Sequence, residues 1–384
     1  MSTDPNPTRR TFRVAHAIYG LGLGGAQKVI ASVLRGQRGS EFESFVYTCI
    51  DGVHREEVEE AGATVRVLPR VVPKLDPVQI LRLRSAMRRD RIDLVHGHLF
   101  GDSLHAALAA RWAGDLPVVL TLHIGPKGWN GLQRRAYPWL LANCRRAIAC
   151  SESVQANVHA VYPRATGVME SIPNGIETPD LPEPTAEERT SLRESLGVGD
   201  DHVVFATVGR MAEQKGYTYL ISAMAQLVND DPSTPARLVM LGEGELRESL
   251  EQQARDEGVT GHVIFAGFRP NVGELLRAVD VVVFSSLFEG LPIALLEAMA
   301  AGRALVCTDI PGNLDAVRHD REALVVKTAD IPSLAEALAR ATADGALRQR
   351  LGDGARARFD AKFTAEAMVR RYSEVYRQIL GVHR

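Results

Sequence analysis

Short apolar runs alternate with longer amphipathic segments along the 384-residue chain. The runs are rich in Val, Ile and Leu, whereas the segments between them carry apolar residues three or four positions apart. This alternation predicts buried parallel strands that are connected by helices. In the first half of the chain the predicted strands are FRVAHAI, FESFVYTCI, TVRVLP, IDLVHGH, PVVLTLH and RAIACS.

A proline-rich segment interrupts this pattern near the middle of the chain. Residues 177–187, ETPDLPEPTAE, hold three prolines and four acidic residues, and we expect the linker proper at 181–187. The pattern restarts with HVVFATVG, ARLVMLG, HVIFAG, VVVFSS, ALVCTD and ALVVK. The sequence therefore predicts two Rossmann-like, doubly wound α/β domains, at 1–180 and 188–363, that face a ligand-binding cleft.

Composition narrows the class of protein. Apolar residues make up 45% and charged residues 24% of the chain, which are ordinary values for a globular protein, and the net charge of -2 argues against a nucleic-acid-binding protein. Cys49, Cys144, Cys150 and Cys307 are scattered without a CxxC pair, so neither a zinc site nor a dithiol is predicted from them. The polar N-terminus and the lack of a long apolar run predict a cytoplasmic protein.

Basic residues are concentrated in the first half of the chain. Residues 1–180 hold 22 Lys and Arg against 17 Asp and Glu, and the window 116–151 holds no acidic residue. Two basic clusters stand out: Arg82, Arg84, Arg88, Arg89 and Arg91, and then Lys127, Arg134, Arg135, Arg145 and Arg146 beside Trp129, Tyr137 and Trp139. Such clusters suit the surface of an anionic membrane, but they also suit an ordinary solvated face over buried aromatic residues.

The segment FEGLPIALLEAMAAG, residues 288–302, contains two carboxylates in an otherwise apolar run. An unpaired buried carboxylate costs several kcal/mol, so Glu289 and Glu297 need partners or access to solvent. The strand VVVFSS precedes the segment, Pro292 suits the start of a helix and Gly302 its end. This arrangement places the carboxylates at the carboxyl end of a strand, where doubly wound sheets bind ligands and where free helix amides suit a phosphate.

Two cations follow another predicted strand of the same domain. After Gly209, the segment GRMAEQKG offers Arg210 as a bidentate donor and Lys215 as a point charge, which together suit a diphosphate. Cations can bind a diphosphate, and carboxylates can bind hydroxyls. Together they predict a site for a sugar nucleotide rather than for a free phosphate.

The first domain offers weaker signals. Its glycine cluster GLGLGGAQ, at 20–27, does not match GxGxxG. His98 and His123 each follow an apolar strand and are expected to point into the cleft, whereas His16 and His96 are expected to be structural. The sequence contains no Asp-x-Asp element, HExxH or P-loop, so we expect a site that works without a metal or a cofactor.

Taken in order, these segments resemble glycosyltransferase family 4, the retaining nucleotide-sugar transferases with the GT-B fold. The pair of glutamates with seven residues between them, which follows two serines and precedes AMAAG, is the most specific motif. The segments that carry the resemblance are GLGGAQ, DLVHGH, TLH, ACSES, IPNGIE, VGRMAEQKG, LGEGEL, SSLFEGLPIALLEAMAAG and PGN.

The resemblance implies a role for each matching residue. Glu289 would contact the donor sugar and Glu297 the ribose, while Arg210 and Lys215 would hold the departing diphosphate. His123 would lie beside the transferred sugar. The remaining implied contacts are Gly24 and Gly25 in the first loop, Gly290, Leu291, Pro292 and Ile293 at the donor phosphates, and His98 and Asn174 on the acceptor side of the cleft.

The family also implies the reaction. A UDP- or GDP-sugar would pass its sugar, with retention at the anomeric carbon, to a hydroxyl of a polysaccharide or glycolipid precursor at the cytoplasmic membrane face. The leaving phosphate itself would help to deprotonate the acceptor, so no protein nucleophile is needed. The resemblance further implies that the last helix, from about residue 364, crosses back onto the N-terminal domain.

The chain departs from the family pattern in one segment, and two other functions also fit the architecture. The chain has Asp315 where the family often has a glutamate, and Glu322 and Ala323 where it usually has a glycine, which bears on the shape of the loop near the donor. A nucleotide-sugar epimerase shares the two-domain architecture. A non-catalytic sugar-nucleotide-binding subunit is also compatible with the fold.

Overall fold

Two parallel β-sheets organise the chain, one in each of two compact units. The computed structural model describes residues 10–22, 24–73, 75–178 and 183–382. The first unit extends to Glu177 and resumes at Ala365, and the second extends from Thr178 to Thr364. Both units are doubly wound α/β layers, so the predicted fold class is confirmed.

The first unit contains a seven-stranded sheet in the order β3-β2-β1-β4-β5-β6-β7. Its strands are β1 (Phe12–Gly20), β2 (Phe42–Ile50), β3 (Thr64–Val67), β4 (Leu94–His98), β5 (Val118–Leu122), β6 (Arg146–Ala149) and β7 (Met169–Ser171). Its helices are α1 (Gly25–Gln37), α2 (Arg55–Glu60), α3 (Pro77–Arg89), α4 (Phe100–Gly114), α5 (Gly131–Asn143) and α6 (Glu152–Val161). The strand order reverses between β1 and β4, which is where such sheets bind ligands.

The second unit contains a six-stranded sheet in the order β10-β9-β8-β11-β12-β13. Its strands are β8 (Val203–Val208), β9 (Ala236–Leu241), β10 (Val263–Gly267), β11 (Val281–Phe284), β12 (Ala304–Thr308) and β13 (Ala323–Val326). Its helices are α7 (Ala186–Ser195), α8 (Tyr217–Asp230), α9 (Arg247–Asp256), α10 (Val272–Leu276), α11 (Ile293–Ala300), α12 (Pro311–Ala316), α13 (Ile331–Ala343) and α14 (Gly345–Lys362). The order reverses between β8 and β11.

The last helix, α15 (Ala365–Leu380), packs on the first unit. Its Tyr372 and Tyr376 are fully buried, and Gln37 of α1 donates a hydrogen bond to Ser373 Oγ at 3.0 Å. Within the described ranges, no helix is both long enough and apolar enough to cross a membrane.

Two details differ from the sequence expectation. Strand β7 was not predicted, because its three residues, Met-Glu-Ser, carry no apolar pattern of their own. Helix α7 begins at Ala186, inside the expected linker 181–187, because the Thr185 side chain caps the helix and Glu188 completes a capping box.

Candidate functional site

In the second unit, the loops that follow β8 and β11 are joined by hydrogen bonds. The strands are neighbours in the sheet, so their carboxyl ends lie side by side. The amide of Leu287 donates to Gln214 O at 2.8 Å, and Ser285 Oγ donates to Lys215 O at 2.9 Å. Gly216 has φ +63°, and a Cβ there would collide with the Ser285 carbonyl, so only glycine fits this contact.

The Glu289 carboxylate receives hydrogen bonds from three side chains across these loops. Its Oε1 accepts from Lys215 Nζ at 2.7 Å and from Ser286 Oγ at 3.2 Å, while its Oε2 accepts from Gln214 Nε2 at 2.9 Å. The Lys215 and Glu289 side chains are only 18% and 12% exposed. The carboxylate therefore has its partner in Lys215. Gln214 and Ser286, which the sequence did not indicate, are its other two side-chain donors.

Arg210 and Glu297 lie in the same unit. Arg210 is the second residue after β8, it is exposed, and no ion pair joins it to any residue that the structure describes. Glu297 lies half-buried on the second turn of α11. Residues 290–293 lead into the first turn of α11. The backbone N–H groups of a first helical turn have no acceptor within the helix itself.

The PGN segment, residues 311–313, packs against the loop that carries Glu289. A Cβ on Gly312 would collide with the Gly290 carbonyl, so the first turn of α12 and the loop approach as closely as backbones can. Asn313 Nδ2 donates to Thr308 O at 3.0 Å, and Thr308 Oγ1 donates to Ser286 O at 2.7 Å. The polar chain from α12 through β12 thus fixes the loop that carries Glu289.

The departure from the family pattern at Glu322 is accommodated locally. Glu322 is 2% exposed and is paired with the Arg318 guanidinium, and its Oε2 accepts from the Arg318 amide at 2.8 Å. Burial alone would raise the pKa of Glu322, but the Arg318 hydrogen bonds hold it below its ordinary value. Ala323 begins β13 directly after this pair.

In the first unit, the glycine cluster ends β1 and begins α1. Gly24 precedes the helix and Gly25 is its first residue. The loop is held by Gln27 Nε2, which donates to Gly20 O at 2.8 Å, and a Cβ on Gly52 would collide with the backbone at Leu21. Position 23 lies outside the described residues.

Three histidines lie buried together beneath the carboxyl edge of the first sheet. His16 Nδ1 lies 3.2 Å from His98 Nε2, and His96 contacts Tyr376 OH at 2.6 Å and Thr121 Oγ1 at 2.7 Å. Burial lowers the pKa of His16 to about 4 and holds those of His96 and His98 well below their ordinary value. All three are therefore neutral near pH 7.

The same three histidines are the one group of potential metal ligands found among the described residues. His96 already uses both ring nitrogens for hydrogen bonds, so binding a metal there would break one of them. The described contacts are those of a neutral hydrogen-bond network that joins β1, β4 and β5 to α15.

The expectation that His98 points into an open cleft is wrong, because its side chain is 1% exposed and lies against His16. Asn174 is also buried, at 3% exposed, and its backbone N–H donates to Cys150 O. His123, directly after β5, is half-buried as a residue, and its Nε2 meets no hydrogen-bond partner in the described chain. Burial lowers the pKa of His123 to about 4.

The second basic cluster does not present Trp129 or Tyr137 to solvent. Trp129 and Tyr137 are 4% and 5% exposed, and their rings stack at 3.9 Å. Trp129 Nε1 donates to Ile124 O, and Arg134 Nε donates to Trp129 O. The interpretation of 127–146 as an aromatic membrane face is therefore wrong for Trp129 and Tyr137, because aromatic packing inside the unit satisfies both.

Two family models match the chain, and together they cover most of it. Glycosyltransferase Family 4 matches residues 23–179, and Glycosyl transferases group 1 matches residues 188–358. The second match contains the whole Glu289 network.

Individual relatives are similar at moderate identity. The chain is 28% identical to the UDP-Gal:alpha-D-GlcNAc-diphosphoundecaprenol alpha-1,3-galactosyltransferase of Escherichia coli, over 71% of this chain and 72% of that protein. It is 28% identical to the 2-deoxystreptamine N-acetyl-D-glucosaminyltransferase of Streptomyces fradiae, over 94% and 92%.

Solved structures show the fold. The crystal structure of Anabaena HepE in complex with UDP and glucose matches with a TM-score of 0.85 at 21% identity, over 96% of this chain and 99% of that chain. WaaG, a glycosyltransferase involved in lipopolysaccharide biosynthesis, matches with a TM-score of 0.73 at 19% identity, over 94% and 99%. The predicted resemblance is confirmed, and with its GT-B fold this chain belongs to glycosyltransferase family 4, the group 1 glycosyl transferases.

Proposed function

We propose that the chain is a retaining glycosyltransferase that transfers a hexose from a UDP-sugar to a hydroxyl, without a metal. The observation that carries this proposal is the contact between Lys215 Nζ and Glu289 Oε1 at 2.7 Å. A cation and a carboxylate held together at the carboxyl end of a strand offer donors for a diphosphate and acceptors for sugar hydroxyls in one place.

The network leaves binding capacity for a donor. An ammonium group has three N–H donors, and the described Lys215 uses one of them on Glu289, so others remain for diphosphate oxygens. Arg210 would add a bidentate contact, and the backbone N–H groups at the start of α11 would add the partial positive charge of a helix start, although Pro292 itself has no N–H. Glu297 would accept hydrogen bonds from the ribose.

In the proposed reaction, the bond from the anomeric carbon to the diphosphate oxygen breaks, and the acceptor oxygen bonds to that carbon on the same face. The acceptor proton passes to the departing diphosphate. Lys215 and Arg210 stabilise the charge that develops on this leaving group, which is the largest contribution that a protein makes in such a transfer. Glu289 is held by Gln214 and Lys215, which suits a positioning role better than a nucleophilic one.

We prefer UDP to GDP as the nucleotide of the donor, because two similar proteins are named with UDP-sugars. HepE has been crystallised with UDP-glucose, and the E. coli relative is named for UDP-Gal. The E. coli relative is also named for a lipid-diphosphate-linked acceptor. We extend the lipid-borne saccharide class of acceptor to this chain as part of the proposal.

A surface of the first unit suits a lipid-borne acceptor. We call it the α3 surface; its exposed apolar members are Val71, Val72, Leu75, Val78, Leu81 and Trp112, and its arginines are Arg82, Arg84, Arg88 and Arg89. Arg84 Nε donates to Trp112 O at 2.9 Å and so joins the two helices that form it. Apolar side chains framed by arginines fit an anionic membrane better than a protein partner, since the arginines match lipid phosphates.

Thermal unfolding with UDP, GDP, ADP and their sugar conjugates, first with EDTA and then with magnesium, tests the donor assignment. Saturating UDP should stabilise the second unit by roughly 2 to 4 kcal/mol with EDTA present. Arg210→Ala should weaken that shift, whereas replacing the exposed Arg255 of α9 should not. A shift that appears only with magnesium would contradict the metal-independent site, and no shift with any nucleotide would contradict the proposal as a whole.

Product analysis separates the proposed reaction from the alternatives. Incubation of a labelled UDP-sugar with membrane lipids should yield UDP and a glycosylated lipid whose new linkage keeps the donor's anomeric configuration. Conversion of the donor into its epimer without an acceptor would favour an epimerase. Nucleotide binding without turnover under either condition would favour a non-catalytic subunit.

A further inference from the structure

A cavity of about 570 Å³ lies at the amino edge of the second sheet, within the second unit. Asp280, which directly precedes β11, and Ala304, the first residue of β12, both line it. Parallel strands all begin at one edge of a sheet, and β11 is four residues or roughly 13 Å long. The cavity is therefore separate from the Glu289 network at the carboxyl edge. We call it the α14 pocket, because residues of helix α14 also line it.

Arginine side chains dominate the lining of the α14 pocket, which contains Arg189, Arg303, Arg348 and Arg356. Main-chain carbonyl groups fix three of them in place. Arg303 Nε donates to Ala301 O at 2.7 Å, and carbonyl groups hold Arg348 and Arg356 in the same way. A carbonyl group orients a guanidinium without neutralising its charge. The pocket therefore presents positive charge on side chains that are already ordered.

The carboxylates of the pocket do not balance these arginines fully. Asp280 is shared by two of them, since the Nη2 atoms of Arg189 and Arg193 donate to it at 2.7 and 2.8 Å. Arg348 forms no ion pair with any residue that the structure describes. When Arg193 and Asp360, the ion-pair partners outside the lining, are included, the pocket holds five arginines and four carboxylates.

One of the four carboxylates, Glu183, is held loosely. Glu183 Oε1 accepts from Arg303 Nη2 at 2.8 Å, but the Glu183 side chain is 74% exposed, whereas that of Arg303 is 13% exposed. An exposed carboxylate is readily replaced, because water compensates it when the contact breaks. Burial, and then repulsion from Arg189, holds the pKa of Arg303 below its ordinary value although Glu183 acts in the opposite direction. The Arg303 charge is thus incompletely compensated, and the Glu183 oxygen marks where an oxygen of another anion would bind.

We propose that the α14 pocket binds the phosphate group of a small phosphate ester, which displaces Glu183 from Arg303. Without Glu183 the pocket holds five arginines against three carboxylates, and this excess matches the charge of a phosphate monoester. Guanidinium groups bind phosphate oxygens in a bidentate manner. The volume lies in the range of roughly 300–1,000 Å³ that small organic ligands occupy, which favours an ester over free phosphate. Gln349 and Asp353 offer the rest of the ligand polar groups for its hydroxyls.

Isothermal titration calorimetry with glycerol 3-phosphate, ribose 5-phosphate and inorganic phosphate, in a phosphate-free buffer of low ionic strength, tests the pocket. We expect the wild-type protein to bind at least one of the esters, and more tightly than inorganic phosphate. Arg303→Met should weaken this binding at least about tenfold, because a charged hydrogen-bond donor is lost. Glu183→Gln should strengthen it about two- to fivefold, because the competing carboxylate is removed.

Glu187→Gln is the matched control for Glu183→Gln. Glu187 is an exposed acidic residue four positions away, it does not line the pocket, and it forms no ion pair within the described part of the chain, so the affinity should not change. Arg210→Ala should also leave the affinity unchanged, since Arg210 belongs to the proposed donor site. The proposal would be overturned if neither ester bound, if inorganic phosphate bound as tightly as both esters, or if Glu183→Gln gave no gain. Loss of binding in Arg210→Ala but not in Arg303→Met would assign the ligand to the donor site instead and would also overturn it.

Discussion

At the scale of single residues, the Glu289 network explains how this carboxylate persists in an apolar run. Glu289 is neutralised by Lys215 and further hydrogen-bonded by Gln214 and Ser286, so its desolvation is offset by three donors. Those donors come from two loops at neighbouring strand ends. The sequence alone indicated the carboxylate and the cation but not that each is the other's partner.

Replacing Glu289 by Ala is the sharpest test of this network. We expect transfer to fall by at least about 100-fold, because the variant loses the proposed contact to the donor sugar and leaves Lys215 without its partner. The free energy of unfolding should fall by about 1–3 kcal/mol, since the pair is partly shielded. Steady-state kinetics and urea unfolding measure the two effects. Glu251→Ala, which removes a surface partner of Arg247, is the control, and unchanged transfer in Glu289→Ala would remove that residue from the site.

Gly312→Ala tests whether close backbone packing shapes the same site. The new methyl group would collide with the Gly290 carbonyl and displace the loop, so we expect a loss of about 1–3 kcal/mol in stability and a weaker UDP shift. Gly261→Ala, at a turn where a Cβ meets no neighbouring atom within 4 Å, should change neither quantity. Equal behaviour of the two variants in thermal unfolding would show that the contact does not constrain the loop.

At the scale of elements, two basic clusters that look alike in sequence differ in structure, and the difference is seen at helix α3. Both carry arginines and apolar residues, but α3 exposes Val78 and Leu81, whereas Trp129 and Tyr137 of the second cluster are buried. Spacing along the chain did not reveal this difference, because inward and outward faces depend on which neighbouring helix covers each residue.

Vesicle sedimentation tests the α3 surface. The protein should bind vesicles that contain anionic lipid and should be released as salt is raised, since each basic residue near the surface contributes about 1 kcal/mol. Leu81→Glu combined with Arg88→Glu should abolish binding, while Arg135→Glu in the second cluster should have a smaller effect. Equal binding to neutral and anionic vesicles would contradict the surface as described.

Most elements could be predicted from the sequence, and the failures have physical causes. Continuous apolar runs predict all six strands of the second sheet, because strands covered on both faces contain little else. The short strand β7 has no such run and is recruited by pairing with β6 alone. The candidate site was predicted less completely. The sequence indicated Lys215 and Glu289, which the structure joins by a hydrogen bond, whereas Gln214 and Ser286 matter only through a contact between loops. The role of Arg210 stays a prediction.

At the scale of the whole molecule, the buried histidines make stability depend on pH. His16 and His123 have pKa values of about 4 in the folded chain, against about 6.5 when unfolded. The unfolded chain therefore binds more protons between these values, so the stabilisation is complete above pH 6.5 and is lost as pH falls towards 4.

Urea unfolding between about pH 7 and pH 4.5 measures this dependence. The free energy of unfolding of the first unit should fall by roughly 1.4 kcal/mol per pH unit for each histidine that titrates. Asp102 of α4 acts with the opposite sign, since burial raises its pKa to about 6 and so favours the folded state as pH falls; Asp102→Asn should therefore steepen the loss. His123→Asn should make it shallower. A stability that stays level over this range would show that the imidazoles are solvated.

The return of α15 to the first unit sets the order in which the chain can mature on the ribosome. The histidine network contains Tyr376, which contacts His96 at 2.6 Å, and that tyrosine is translated 280 positions later. The second unit is contiguous in the chain and can therefore complete its core first. Until α15 has been synthesised, His96 lacks its contact with Tyr376, so the first unit completes its buried polar network only after the second unit has been made.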